Sequence, residues 1–241
     1  MTTTRPRTDT AELSRLVSLM TGDEKHTAAA ESTLDVLAVL YDRVLRVDPR
    51  YPDDPVRDRF LLSKGHGPMA FYAVLAAHGF LDEAELAGWA RPGSRLGLHP
   101  DRVLVPGVEI GSGSLGHGLP LAVGTALGLR IRGQETQRSG ARPSMPTTPR
   151  VFVLVGDAEL DEGSNHEAIA YAGRSGMANL TAVVVDNASA THRGELAELF
   201  LAEGWRAITV DGRDHDVLET ALTAAHDDRP LAVVAVVESK G

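Results

Sequence analysis

The chain has 241 residues, 43% of them hydrophobic, enough to bury the core of one large α/β domain. With 24 basic against 33 acidic residues the formal net charge is -9, which gives no electrostatic footprint for nucleic acid or an anionic membrane. Cysteine is absent, so these residues offer no disulfide, thiolate catalysis or Cys-ligated zinc. The opening MTTTRPRTDT has arginines but no apolar core, and no run of about eighteen apolar residues occurs, so a cytoplasmic protein is expected.

Helical apolar spacing covers Ala11 to Met20 and Ala28 to Leu45, followed by the loop DPRYPDDP. The spacing turns helical again from Met69 to His78, ended by Gly79, and Asp82 with Glu85 reads as a capping box for a short helix reaching Trp89. The run RPGSRLGLHPDRVLVPGVEIGSGSLGHG is loop-like, and a helix is predicted from about Leu119 to Ile131, with Pro120 in its first turn. Residues 132–150 are polar and rich in Pro, Ser and Thr, which predicts an exposed, flexible loop inside a single domain spanning residues 1–241.

Continuous apolar strands are predicted at Val151 to Val155, Leu180 to Val185, Ala207 to Val210 and Leu231 to Val237. Helices are predicted between them, near Asn165 to Ser175, Glu195 to Glu203 and His215 to Ala225. Strands apolar on both faces and alternating with helices indicate an α/β fold, an open, mostly parallel sheet with helices on both faces behind a helical amino-terminal region.

Ligands of such sheets sit beyond the carboxyl ends of the strands. Asp157 follows one predicted strand and Asn187 the next, so adjacent parallel strands would bring them together. Their oxygens suit Mg²⁺ or Ca²⁺, and Mg²⁺ completes its shell with phosphates and water. Ser164 and Glu167 read as a capping box for the next helix, and the loop Ala158 to Gly163 offers N–H groups to the same ligand. The alternative is a plain Gly-Asp turn with solvated acids.

GSGSLG at Gly111 to Gly116 has the form of a dinucleotide fingerprint, which also requires an acid about twenty positions on, at the end of a second strand. The candidate, Glu135, lies in the polar stretch, so glycines that let backbone approach another ligand fit better. His26, His66, His99 and His117 occupy loop or glycine-rich settings, where imidazoles orient hydroxylated or anionic ligands. His78, His166, His192, His215 and His226 read as surface imidazoles, and no HExxH spacing supports a zinc hydrolase.

Taken in order, LSKGHGPMAFYAVLAAHGFL, HPDRVLVPGVEIGSGSLGHG, and GDAELDEGSNHEAIAYAG followed by NLTAVVVDNAS resemble the amino-terminal, thiamine-diphosphate-binding half of a transketolase, from about His26 to Gly241. The resemblance implies metal ligands at Asp157, Asn187 and the carbonyl of Ser189. It implies cofactor contacts at His66, Gly113, Leu115, Gly156, Asp157, Ala158, Glu159 and Asn187. It implies substrate-facing histidines at His26 and His99, and at Glu162 an acid at the contact between halves, linked to the proton network of paired sites.

Departures from the family pattern are Ala158 in place of Gly, His117 in place of Gln, and Thr27, Ala28 and Ala29 in place of glycines. The cofactors implied are thiamine diphosphate and Mg²⁺ or Ca²⁺. Transketolases carry their aminopyrimidine-binding residues in a second domain, so the resemblance implies a split enzyme completed by a carboxy-terminal, pyrimidine-binding subunit in an α₂β₂ heterotetramer. It also implies ketol transfer from a ketose to an aldehyde. The alternatives are two-carbon transfer from an α-keto acid to a carrier thiol, as in ketoacid dehydrogenase components, and a non-catalytic regulatory half-site.

Overall fold

The computed structural model describes residues 8–21, 27–138, 148–191 and 194–238. In chain order its regular elements are α1 (Thr10–Ser18), α2 (Thr27–Val39), a π-helical turn (Leu40–Val44), β1 (Arg59–Leu62), α3 (Met69–Ala77) and a 3₁₀ turn (Glu83–Gly88). Next come α4 (Gly118–Arg138), β2 (Val151–Gly156), a second 3₁₀ turn (Ala158–Asp161), α5 (Gly163–Arg174) and β3 (Leu180–Asp186). The last are α6 (Leu196–Leu201), β4 (Arg206–Asp211), α7 (His215–Leu222) and β5 (Leu231–Val236).

The five strands form one sheet in the order β1-β2-β3-β5-β4, every neighbouring pair parallel. Alternate residues of each strand serve opposite faces, as the pleat requires. Phe60, Phe152, Leu154, Val183 and Val233 pack under α1, α2, α3 and α7. Leu61, Val153, Val155, Val184 and Val234 pack under α4, α5 and α6. Burial on both faces explains why β2 and β5 read as unbroken apolar runs. The edge strand β4 is only half-buried, a departure from the expectation of apolar cover on both faces. From Met69 to Leu75, α3 is buried all round, wedged between the sheet and α1 and α2.

Several expectations require correction. β1 is an additional strand; RFLL is too short to show a period and follows a stretch that reads as loop. α4 runs on to Arg138, so residues 132–138 are helix, while 139–147 of the expected loop lie outside the described residues. At 148–150 the chain is anchored: the Arg150 guanidinium donates to Asp58 and to the Val44 carbonyl. The Asp82 capping box is present, and it opens a 3₁₀ turn. No capping box opens α5; Glu162 is the N-cap, without a side-chain bond. His78 is buried, its ring bridging the Val74 carbonyl at 2.8 Å and Asp42 at 2.9 Å. His215 pairs with Asp35 at 2.7 Å. His192 lies outside the described residues.

Asp58 ties the amino ends of β1 and β2 together. Its fully buried carboxylate meets the guanidinium groups of Arg46 at 2.7 Å and Arg150 at 2.6 Å and accepts both their backbone N–H groups at 3.0 Å. Burial alone would raise its pKa, but the two arginines outweigh burial and hold it below the usual carboxylate value. A depressed native pKa contributes stability that is present above the unfolded value near 4 and is lost as pH falls through the native value. Asp58→Asn is therefore expected to cost about 2–4 kcal/mol in urea unfolding at pH 7. The gap should narrow when the titration is repeated below about pH 4; a gap indifferent to pH contradicts the charge assignment.

Candidate active site

The carboxyl edge of the sheet gathers residues from distant parts of the chain. Parallel register sets Gly156 beside Val185, and the Asp157 N–H continues the ladder to the Val185 carbonyl at 3.1 Å. Asp157 and the Asn187 turn therefore emerge side by side, as their positions after two strands predict. On the other flank, Leu62 pairs with Leu154, and both Ser63 and Lys64 donate N–H to the Leu154 carbonyl. This brings the SKGH segment beside Gly156.

The Asp157 carboxylate is buried, accepts from the Ser189 N–H at 2.6 Å and the Ala190 N–H at 2.9 Å, and lies 2.6 Å from the Ser189 hydroxyl. The Ser189 hydroxyl also lies 2.7 Å from Asn187 Oδ1. A hydroxyl carries one hydrogen, so it satisfies one of these two oxygens and leaves the other an acceptor facing a hydroxyl oxygen. Such a concentration of hard oxygens suits a small divalent cation. Among the described residues no group of three His, Cys, Asp or Glu side chains is placed to hold a metal. Ala188 sustains the turn with φ 61°, and Asp161 holds its far side by accepting from the Thr191 N–H and hydroxyl at 3.1 and 2.8 Å.

Glu159 faces inward. Its carboxylate accepts from the Ser63 hydroxyl, from the Gly116 N–H at 3.0 Å and from the Gly156 N–H at 3.3 Å. The Ser63 oxygen accepts in turn from the Gly118 N–H at 3.0 Å, and Ser164 donates to the Gly116 carbonyl at 2.7 Å. One buried side chain thus joins the ends of β1 and β2 to the glycine-rich loop. Burial raises its pKa, against the pull of Ser63, Gly116 and Gly156.

The glycine-rich loop packs backbone against its neighbours. A Cβ at Gly113 (φ 126°) would lie 2.5 Å from the His99 ring, and one at Gly65 would lie 2.6 Å from the Gly113 nitrogen. The exposed His66 and His99 rings meet edge to face with centroids 5.0 Å apart. Glu162, Leu115 and His117 are also exposed, His117 Nδ1 lying 3.2 Å from the Leu115 carbonyl. Ala158 opens the second 3₁₀ turn, and Glu135 sits in α4, not at a strand end as a dinucleotide fingerprint needs. His26 lies outside the described residues.

Four residues that sequence reasoning did not single out complete the arrangement. Ser63 anchors Glu159. Tyr72 donates to the carbonyls of Gly97 and His99 at 3.1 and 3.2 Å, and Trp89 donates to Gly97 at 3.0 Å, fixing the loop that carries His99. Lys64 lies across Gly156 with Nζ 3.2 Å from the Ser32 hydroxyl. Burial lowers its pKa to about 8, with Asp157, Glu159 and Glu238 opposing the shift. Ser63 and Lys64 lie inside the SKGH motif; Tyr72 and Trp89 carry no signal beyond their apolar helical settings.

Replacing Glu159 with Gln sets amide hydrogens against backbone N–H donors. This variant is expected to lose about 1–3 kcal/mol of stability in urea unfolding at pH 7. A loss below about 0.5 kcal/mol, the range of an ordinary surface change, contradicts the clamp.

The family described as transketolase, thiamine diphosphate binding domain, matches residues 12–237. Relatives include the protein named ferredoxin fas2 of Rhodococcoides fascians, 53% identical over 94% of this chain and 71% of its own length. A 6-deoxy-6-sulfo-D-fructose transketolase subunit of a Clostridium strain is 33% identical over 83% of this chain and 71% of its own length. An apulose-4-phosphate transketolase subunit of Actinobacillus succinogenes is 40% identical over 64% of this chain and 51% of its own length. Among solved structures, the transketolase of Leishmania mexicana superposes with a TM-score of 0.76 at 25% identity, covering 92% of this chain and 36% of that one. A family match along nearly the whole chain, on a parallel sheet with this site at its carboxyl edge, shows that the chain belongs to the transketolase family through its thiamine-diphosphate-binding domain.

Proposed function

We propose that this chain is the diphosphate- and metal-binding subunit of a split transketolase, transferring a two-carbon ketol unit from a ketose to an aldehyde once a pyrimidine-binding subunit completes the site. The observation that carries this reading is the oxygen cluster of Asp157, Asn187 and Ser189 at the ends of β2 and β3. It has the hard-donor chemistry for Mg²⁺ or Ca²⁺, with the Ser189 carbonyl as a third protein ligand and a diphosphate completing the shell. Two relatives named as transketolase subunits support the pairing, since this chain spans 71% and 51% of their lengths against 36% of the Leishmania enzyme. A cytoplasmic α₂β₂ assembly, inactive until paired, follows from that reading.

The residues divide the work. Asp157 and Asn187 hold the metal; His66, Gly113, Leu115, Gly156 and Ala158 line the approach of the diphosphate and its ring. Glu159 serves that approach indirectly, by fixing the loop through Gly116. Bound thiamine diphosphate supplies an electron sink for carbon–carbon cleavage. His99, presented at the rim by the loop that Tyr72 and Trp89 hold, orients the donor's hydroxyls together with His26, and Glu162 lies toward the partner. The name of the Rhodococcoides relative does not carry over, because iron–sulfur clusters are held by cysteine thiolates and these 241 residues contain none.

Asp157→Asn removes one hard anionic ligand and leaves the shape. In the assembled protein it is expected to weaken Mg²⁺-dependent binding of thiamine diphosphate by about a hundredfold in calorimetry, with an unchanged circular dichroism spectrum; unchanged affinity rejects the metal site. His26→Ala or His99→Ala should cut ketol transfer by about ten- to a thousandfold while cofactor affinity is retained. Turnover confined to pyruvate and indifferent to both histidines assigns the chain to acyl transfer from α-keto acids instead.

A further inference from the structure

Asp157 and Glu159 follow β2 and Glu238 follows β5, so carboxylates gather at the edge where a metal and a diphosphate are proposed to bind. The Lys64 ammonium interacts electrostatically with all three. Its place is fixed along its length: the Lys64 N–H donates to the Leu154 carbonyl at 3.2 Å, the methylene stem runs along Gly156, and Nζ lies 3.2 Å from the buried Ser32 hydroxyl of α2. We propose that Lys64 makes metal and diphosphate binding interdependent, its charge opposing a lone divalent cation at Asp157 and Asn187 and attracting the diphosphate that completes the cation's shell. This rests on the reading of the carboxyl edge as a metal and diphosphate site.

Coulomb's law sets the signs. A positive charge beside a cation site weakens that site, and the same charge strengthens a neighbouring anion site, each effect growing as water is excluded. Burial disfavours the ammonium while Asp157, Glu159 and Glu238 favour it, and the group stays charged at pH 7. The carboxylates that favour it also repel a diphosphate, so a cation among them offsets that repulsion.

Position and charge are separable here. Asp157 accepts from the Ser189 and Ala190 N–H groups, and Glu159 from Ser63, Gly116 and Gly156, so hydrogen bonds from other residues already hold both carboxylates. What Lys64 adds to them is charge. Gly156 keeps its path open: a Cβ there would lie 3.3 Å from Lys64 Cδ and 3.5 Å from Cε, so even a methyl group at this position presses on the stem.

Isothermal titration of the full chain at pH 7 with Mg²⁺ alone, and with inorganic pyrophosphate in the presence of Mg²⁺, tests the assignment. Lys64→Met is expected to bind Mg²⁺ alone at least about threefold more tightly and pyrophosphate at least about tenfold more weakly. Loss of a residue that merely held the fold would weaken both, so opposite signs are the signature. Lys64→Arg keeps the charge and should bind each ligand within about threefold of the wild type. Weakening of both ligands in a folded Lys64→Met variant, or no change in either, overturns the proposal; pyrophosphate binding that still depends on Asp157 would then leave the metal-site reading in place. If Lys64→Met does not fold, the arginine variant decides: wild-type affinities support the proposal, and a folded Lys64→Arg that loses pyrophosphate affinity by about tenfold overturns it. A wild-type chain that binds neither ligand overturns it together with the metal-site reading.

Discussion

The Glu159 carboxylate is the constraint on which the site depends. A buried carboxylate is costly unless hydrogen-bond donors meet it, and here Ser63, Gly116 and Gly156 provide three of them from separate segments. The carboxylate sits where the end of β1, the end of β2 and the glycine-rich loop converge, and it bonds to all three. Gly116 and Gly118 admit no side chain beside Ser63 and Glu162, so the loop packs backbone first.

The sheet converts this local clamp into a site. Because all neighbouring strands are parallel, the turns that follow them open on one edge, where Asp157, the Asn187 turn, Lys64 and the rims carrying His66 and His99 collect. At the opposite edge Asp58 joins the starts of β1 and β2 through two arginines, Arg46 and Arg150. The two ends are thus chemically unlike, hard oxygens on one and guanidinium groups on the other.

Much of this was legible in the amino-acid sequence, for physical reasons. β2, β3 and β5 are buried on both faces and so appear as apolar runs, and parallel pairing of the first two predicts that Asp157 meets Asn187. β1 was not legible, since the four residues Arg59–Leu62 give no period. The extension of α4 to Arg138 was hidden by a polar composition that an exposed helical end tolerates as well as a loop. His78 read as surface because a single imidazole carries no sign of its buried partner Asp42. Ser164 looked like a cap, but its hydroxyl is directed to Gly116 in another segment. The Glu159 clamp links positions far apart in the chain, and no local pattern announces it.

The central claim, that this domain acts as the metal- and diphosphate-binding half of a two-chain transketolase, is tested most directly by reconstitution. The purified chain, a complementary pyrimidine-binding subunit, and the mixture of both are assayed for ketol transfer from a ketose to an aldehyde with thiamine diphosphate and Mg²⁺. The account predicts turnover in the mixture and none from either chain alone. Turnover by this chain without a partner, or a stable mixed complex that binds the cofactor and transfers nothing, contradicts it.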